Sequence, residues 1–238
     1  QQFKPKVVKT KLNVTKKSFY KSSFVKLNDT LSIMNTEVTN ELYHLFCKET
    51  NHKRPDSTLW KNQFYGSEQF VTHYNWHSKY SNYPVVNITP DDAEKFCFWL
   101  TQHYVRTHST DAQIRLPKKE ELILAIEKSY EVTIKDESVR PDVFNGNIRA
   151  IQGTYNGDMK RYITSILFQD QDGFENVTPV KESVSRKMKL YNLTGNVDEL
   201  LNDKTIYLTR NWTSLMDEWK FSTSKIESAN STTGIRVV

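Results

Sequence analysis

The residues best suited to chemistry in this chain lie in the run Leu190-Tyr-Asn-Leu-Thr-Gly-Asn-Val-Asp-Glu-Leu200. Asn192 offers a side-chain carbonyl and Glu199 a carboxylate able to bind through one or two oxygens. A turn at Gly195 would swing backbone carbonyls such as that of Val197 inward. Oxygen-only ligands at this spacing suit a hard cation, calcium ahead of zinc or copper. The plain alternative is an Asn/Gly turn followed by an exposed glutamate.

Other constellations are weaker. His73 and His77 stand four apart, the spacing that puts two imidazoles on one helix face for zinc or copper, but Tyr74-Asn75-Trp76 between them gives no helical pattern and no acidic or cysteine partner is near. His103 and His108 have no better support, and His44 reads as a partly exposed helix residue. The only two cysteines, Cys47 and Cys97, fall on apolar helical stripes, where cysteine serves as a small hydrophobe; one disulfide between them is the alternative in an exported chain. Nothing marks either thiol as activated, and no Ser-His-Asp or Cys-His triad has local support. No catalytic residue is assigned.

The elements that must position these groups read as three helices followed by short strands. Ser23–Leu27 and Leu31–Met34 flank the turn signal Asn28-Asp29 and predict a hairpin. Thr39 is a credible cap for a helix burying Leu42, Phe46 and Cys47, with Tyr43 and Leu45 widening the stripe. Residues 50–82 carry Trp60, Phe64, Tyr65, Phe70 and Trp76 without clear periodicity, as expected of a long loop packed by its rings. Thr89-Pro90-Asp91-Asp92 is the sharpest helix start, with a capping box and an inward stripe of Ala93, Phe96, Cys97 and Leu100. Pro117 is expected to open a third helix with Leu122, Ala125 and Ile126 inside. Strands are expected at Arg161–Phe168, Thr205–Thr209 and Gly234–Val238, giving an α+β chain with much irregular structure. The chain has only 7 glycines, so left-handed turns should fall to asparagines such as Asn145 and Asn156.

Five segments, in order, carry a family resemblance: Thr36-Glu-Val-Thr-Asn-Glu-Leu-Tyr43, Pro84–Leu100, Arg115-Leu-Pro-Lys-Lys-Glu-Glu-Leu-Ile-Leu-Ala125, Asp172-Gly-Phe-Glu-Asn-Val-Thr-Pro-Val180 and Gly234-Ile-Arg-Val237. They resemble the formylglycine-generating enzyme, or sulfatase-modifying factor, domain. The resemblance implies a fold that is a variant of the C-type-lectin-like architecture, braced by two structural calcium ions. It places one ion on Asn192, Gly195, Val197 and Glu199, and the other on Asn147, Ile148, Asp172 and Phe174. Enzymes of the family activate oxygen at copper held by a cysteine pair after a glycine-containing arginine element. Here that region reads Arg210-Asn-Trp-Thr-Ser-Leu-Met-Asp-Glu-Trp219, with no cysteine and with Asn211 and Trp212 in place of the glycines. No copper is therefore expected, and the chain reads as a non-catalytic family member, a pseudoenzyme. It is similar to domains of gliding-motility and type IX secretion lipoproteins that also lack the thiols. Trp212, Asp217 and Trp219 lie where the resemblance places the cleft and are candidates for a groove taking peptide or glycan.

The chain of 238 residues is long enough for one large domain, expected over residues 23–238 behind a basic arm at 1–22. The formal charge of +5 invites a nucleic-acid partner, but lysines concentrate in that arm and no stacking signature accompanies them. No apolar run spans a membrane. The start Gln-Gln-Phe-Lys fits a trimmed export signal, and calcium sites suit an extracytoplasmic setting, so a periplasmic or cell-surface location in a bacterium is expected. The functional expectation is protein binding or assembly at the cell envelope. The alternatives are an oxidase or hydrolase working through His73, His77 or Asp217, and a lectin-like ligand-binding module.

Overall fold

The computed structural model describes residues 12–64, 67–134, 153–156, 161–164, 176–182, 185, 187–207, 211–213, 222–226 and 228–238, the 153–156 and 161–164 stretches by their backbone. The elements are α1 (Lys17–Ser23), β1 (Phe24–Lys26), β2 (Ser32–Met34), α2 (Asn40–Thr50), α3 (Glu68–His73), α4 (Pro90–His108), α5 (Lys119–Tyr130), β3 (Gly153–Asn156), β4 (Arg161–Thr164), β5 (Asp198–Leu200), β6 (Thr205–Tyr207), β7 (Thr223–Lys225) and β8 (Thr233–Gly234). Strands β1 and β2 form the expected antiparallel hairpin, β3 and β4 a second, and the remaining four a sheet in the order β7-β6-β5-β8 with β5 and β8 parallel.

Local signals set the main helix starts. The Thr39 side chain accepts from the Leu42 N–H, and α2 buries Leu42, Tyr43, Phe46 and Cys47. At α4 the Thr89 hydroxyl accepts from Asp92 N–H while the Asp92 carboxylate accepts from Thr89 N–H, both at 3.2 Å. Such a reciprocal cap is worth about 1 kcal/mol. Pro117 stands two residues before α5, which begins at Lys119. The Glu121 carboxylate accepts from the Lys118 N–H at 2.8 Å and closes that helix start.

Two differences from the sequence reading have physical causes. Val14 and Tyr20, inside the stretch read as a basic arm, are buried among the α2 and α4 side chains, because apolar positions between the lysines supply an inward face. The ring-packed loop of residues 50–82 contains α3 and two short 3-10 turns, Ser57–Trp60 and Ser78–Tyr80, which set Trp60, Phe70, Tyr74 and Tyr80 against one another. Five asparagines among the described residues, at 51, 62, 87, 192 and 196, adopt positive φ, whereas Asn156 closes β3 and Asn145 lies outside the described residues. Of the expected strand at Arg161–Phe168, β4 covers the first four residues, and β6 covers Thr205–Tyr207; the residues beyond each lie outside the described set.

The chain's last residues thread the core. Only Thr233–Gly234 count as strand, but the extended continuation accepts from Met34 N–H at Val237 O and from Val38 N–H at Ile235 O, and Val238 exchanges two hydrogen bonds with Arg115. Gly234 makes the close approach possible: a Cβ there would lie 2.8 Å from Val197 Cγ2 and 3.1 Å from the Val85 carbonyl oxygen. This threading delivers Arg236 to the interior.

Candidate functional site

The loop before β5 and the C-terminal segment meet in a buried polar knot. Asn192, Gly195 and Asn196 all take positive φ, so the loop coils tightly and turns its polar groups inward. Glu199 is fully buried, which excludes the plain turn with an exposed glutamate. Its Oε1 accepts from Arg236 Nε at 2.6 Å, and both side chains have essentially no solvent exposure. Arg236 spends its other nitrogens on backbone carbonyls: Nη1 donates to Met34 O at 3.2 Å, and Nη2 to Tyr191 O at 2.8 Å and Asn192 O at 3.3 Å. One guanidinium thus ties β2, the calcium-candidate loop and β5 together.

A second carboxylate completes the knot. Glu37 Oε1 accepts from Asn196 Nδ2 at 2.8 Å and Oε2 from Asn192 Nδ2 at 3.3 Å. Asn196 Oδ1 in turn accepts from the Thr178 N–H at 2.9 Å and from its hydroxyl at 3.2 Å. Two buried carboxylates therefore face one buried guanidinium, leaving an excess negative charge in a medium that solvates charge poorly. Burial pushes the Glu37 carboxyl up to about 7, against the opposing pull of Arg236 and Asn196. Burial also raises Glu199, again opposed by Arg236.

For a hard cation the donor set fits through one glutamate oxygen. Glu199 Oε2 is buried and makes no hydrogen bond among the described residues, while Oε1 is committed to Arg236. A calcium ion at Oε2 would complete this oxygen and more than offset the single excess negative charge. Neither Glu37 nor Arg236 emerged from the sequence as a site residue. The available signal was a charged residue flanked by β-branched apolar ones, Glu37 before Val38 and Arg236 between Ile235 and Val237. The first calcium set, Asn147, Ile148, Asp172 and Phe174, lies outside the described residues, as do Asp217 and Trp219 of the candidate groove.

Trp212 is a core residue and not a groove wall. It is 3% exposed, its indole nitrogen donates to Ser231 O, and its ring packs on Trp60 and Phe64. Cys47 and Cys97 are both free and buried in the α2–α4 cluster; burial raises their thiols to about 11 and about 12. A protonated, enclosed thiol is a poor nucleophile and a poor copper ligand. His73 ends α3 with its ring centroid 5.7 Å from that of His77, whose Nδ1 accepts from the Lys79 N–H. Among the described residues no three His, Cys, Asp or Glu side chains gather as a metal cluster.

Residues 17–238 match the family described as Sulfatase-modifying factor enzyme 1-like domain. The chain belongs to this family. Two solved structures share the fold of this sulfatase-modifying-factor-like domain. CarF is 17% identical, with a TM-score of 0.50 over 87% of this chain and 84% of that one. PvdO from Pseudomonas aeruginosa is 15% identical, with a TM-score of 0.54 over 87% of this chain and 78% of that one. No curated protein sequence matches the chain. The expected formylglycine-generating-enzyme type of α+β fold is thus the fold of this domain. Among the described residues no helix is long and apolar enough to cross a membrane.

Proposed function

We propose that this domain is a non-catalytic, calcium-braced member of its family that serves protein binding or assembly at a bacterial cell envelope, like the gliding-motility and type IX secretion lipoprotein domains it resembles. The observation that carries the reading is the fate of the thiols. The chain has two cysteines, and both sit protonated in the core on α2 and α4, leaving no thiolate pair for copper.

Calcium takes the structural role in this reading. Asn192, Gly195, Val197 and Glu199 would hold one ion, with Asn147, Ile148, Asp172 and Phe174 the second set. Bound calcium supplies the positive charge that two buried carboxylates and a single guanidinium lack. Sites of this kind fill where free calcium is plentiful, which supports an exported domain in the periplasm or on the cell surface.

Two measurements test the proposal. Copper-loaded protein given a cysteine peptide and monitored for oxygen uptake is expected to show no turnover, and steady turnover would overturn the non-catalytic reading. Affinity capture of the tagged protein from its native envelope, with calcium present, is expected to recover one stoichiometric protein partner that is lost on chelation. Recovery of the domain alone would count against an assembly role.

A further inference from the structure

Helix α4 turns two faces to different surroundings. Ala93, Phe96 and Leu100 are wholly buried, while Phe98, on the far side, is 67% exposed and is the one large apolar side chain so exposed among the described residues. A single exposed ring is ordinary, but Phe98 stands in the wall of a cleft of about 620 Å³ between α4 and the extended segment Asp111–Leu116. That volume lies in the range of small-ligand sites.

The cleft's polar groups define what it suits. Glu94, Phe98 and Gln102 follow one another at four-residue spacing on α4 and share the lining with Asp111 and Gln113 of the extended segment and with Asn202. Gln102, Asp111, Gln113 and Asn202 are all exposed, and their side chains make no hydrogen bond within the described residues. The one cation in the lining, Arg115, is held by both oxygens of Glu121 at 2.8 and 2.6 Å, so the wall offers no uncommitted charge to a phosphate, sulfate or carboxylate. The backbone edge is also occupied. Ile114 bonds through both its N–H and C=O to the Thr101 hydroxyl, and Arg115 does the same with Val238. An extended peptide therefore finds little backbone to pair with, and recognition falls to the side-chain amides and carboxylates.

We propose that this cleft binds a neutral saccharide of about disaccharide size, with Phe98 under a pyranose ring and Asp111, Gln113, Gln102 and Asn202 taking its hydroxyls. A pyranose presents one face of C–H bonds, which are drawn to the electron-rich face of an aromatic ring. Its vicinal hydroxyls are donors and acceptors together, as are amide side chains, and a carboxylate accepts from two of them. The site goes beyond the assembly role proposed above and does not depend on the calcium loop.

The test is saturation-transfer NMR of the full chain with chitobiose, cellobiose, maltose and lactose, repeated with Phe98→Ala and Gln113→Ala. At least one disaccharide is expected to bind saturably with a Kd on the order of 1 mM or tighter, in chelator as well as in calcium. Phe98→Ala is expected to weaken it about tenfold or more, and Gln113→Ala a few-fold, with melting temperatures unchanged because both side chains are exposed. Absence of saturable binding by all four sugars, or equal binding by Phe98→Ala, overturns the proposal. A protein fragment that shifts cleft resonances where no sugar does so also overturns it. Failure of the calcium reading would show as unchanged melting on chelation and leaves this outcome separately readable.

Discussion

Two arginine–glutamate pairs in this domain are built from the same chemistry and do opposite work. Arg236 and Glu199 have essentially no exposure, and the arginine spends its remaining donors on three carbonyls from two chain segments. Arg115 and Glu121 form a two-bond pair with side chains 33% and 15% exposed, at the foot of α5. In the partly exposed pair, water can take over part of what a missing partner supplied, so the pair trims a helix start. In the buried pair nothing replaces a missing partner, so the same bond becomes a condition for bringing β2, β5 and the candidate calcium loop together.

The sharpest way to break the comparison is to remove one arginine at a time. Arg236→Met should cost roughly 3–5 kcal/mol in urea unfolding, because it leaves Glu199 buried and uncompensated and orphans the carbonyls of Met34, Tyr191 and Asn192. The double variant Arg236→Met with Glu199→Gln should recover part of that loss. Equal, small effects of Arg236→Met and Arg115→Met would sink the idea that burial separates the pairs.

The next largest effect is pH dependence, which should run in opposite senses. The Glu37 carboxyl, third member of the knot, is raised by burial from 4.5 to about 7. The folded state thus holds a proton that the unfolded chain has released. Stability from this source is fully present below about 4.5 and is lost as pH rises through about 7, a change on the order of 3 kcal/mol in chelator. In Glu37→Gln the slope over that window should shrink to whatever Glu199, also raised by burial, contributes. A wild-type stability that stays flat there would show that another charge already neutralises the knot.

The calcium proposed above would supply such a charge. At about a hundred times its dissociation constant it should stabilise the fold by about 2.7 kcal/mol if it binds the native state alone. It should also flatten the Glu37 slope, since a cation beside Glu199 favours an ionised neighbour. Unchanged melting on chelation, with no calcium found in the purified protein, would remove calcium from the account and leave the proton on Glu37 as the knot's neutraliser.

These contrasts also show where sequence reasoning reached and where it stopped. Helix starts were readable because a cap is local: Thr39, Thr89 and Asp92 act within four residues of themselves. The tight turn of the Asn192–Glu199 loop was readable for the same reason, from its Asn and Gly residues. The Glu199–Arg236 and Glu37–Asn196 contacts join residues 37 and 159 positions apart, and no periodicity or spacing carries that information. Val14 and Tyr20 were hidden by the lysines around them, and Trp212 by its neighbours in a stretch that reads equally as groove or core. Phe98 was passed over because it sits between the core residues Cys97 and Trp99, and only the helix geometry shows it facing outward.

The smallest effect belongs to the exposed pair and completes the contrast. Burial opposes charge on Glu121, but the bonds from Arg115 and the Lys118 N–H outweigh it and hold the carboxyl below its usual value. A lowered folded value means stability that is present above the unfolded value and lost as pH falls through the folded one, the reverse of Glu37. Partial exposure limits the size: Glu121→Gln should cost about 1 kcal/mol at pH 7, and the difference from wild type should shrink toward zero in acid. The pair also neutralises the cation in the Phe98 cleft. Glu121→Gln would free the Arg115 guanidinium and should make that cleft receptive to anionic sugars, read as new NMR contacts with glucuronic acid that wild type lacks. If the variant binds glucuronic acid no better than wild type does, Arg115 is held away from the cleft by its bond to the Leu116 carbonyl as well as by Glu121.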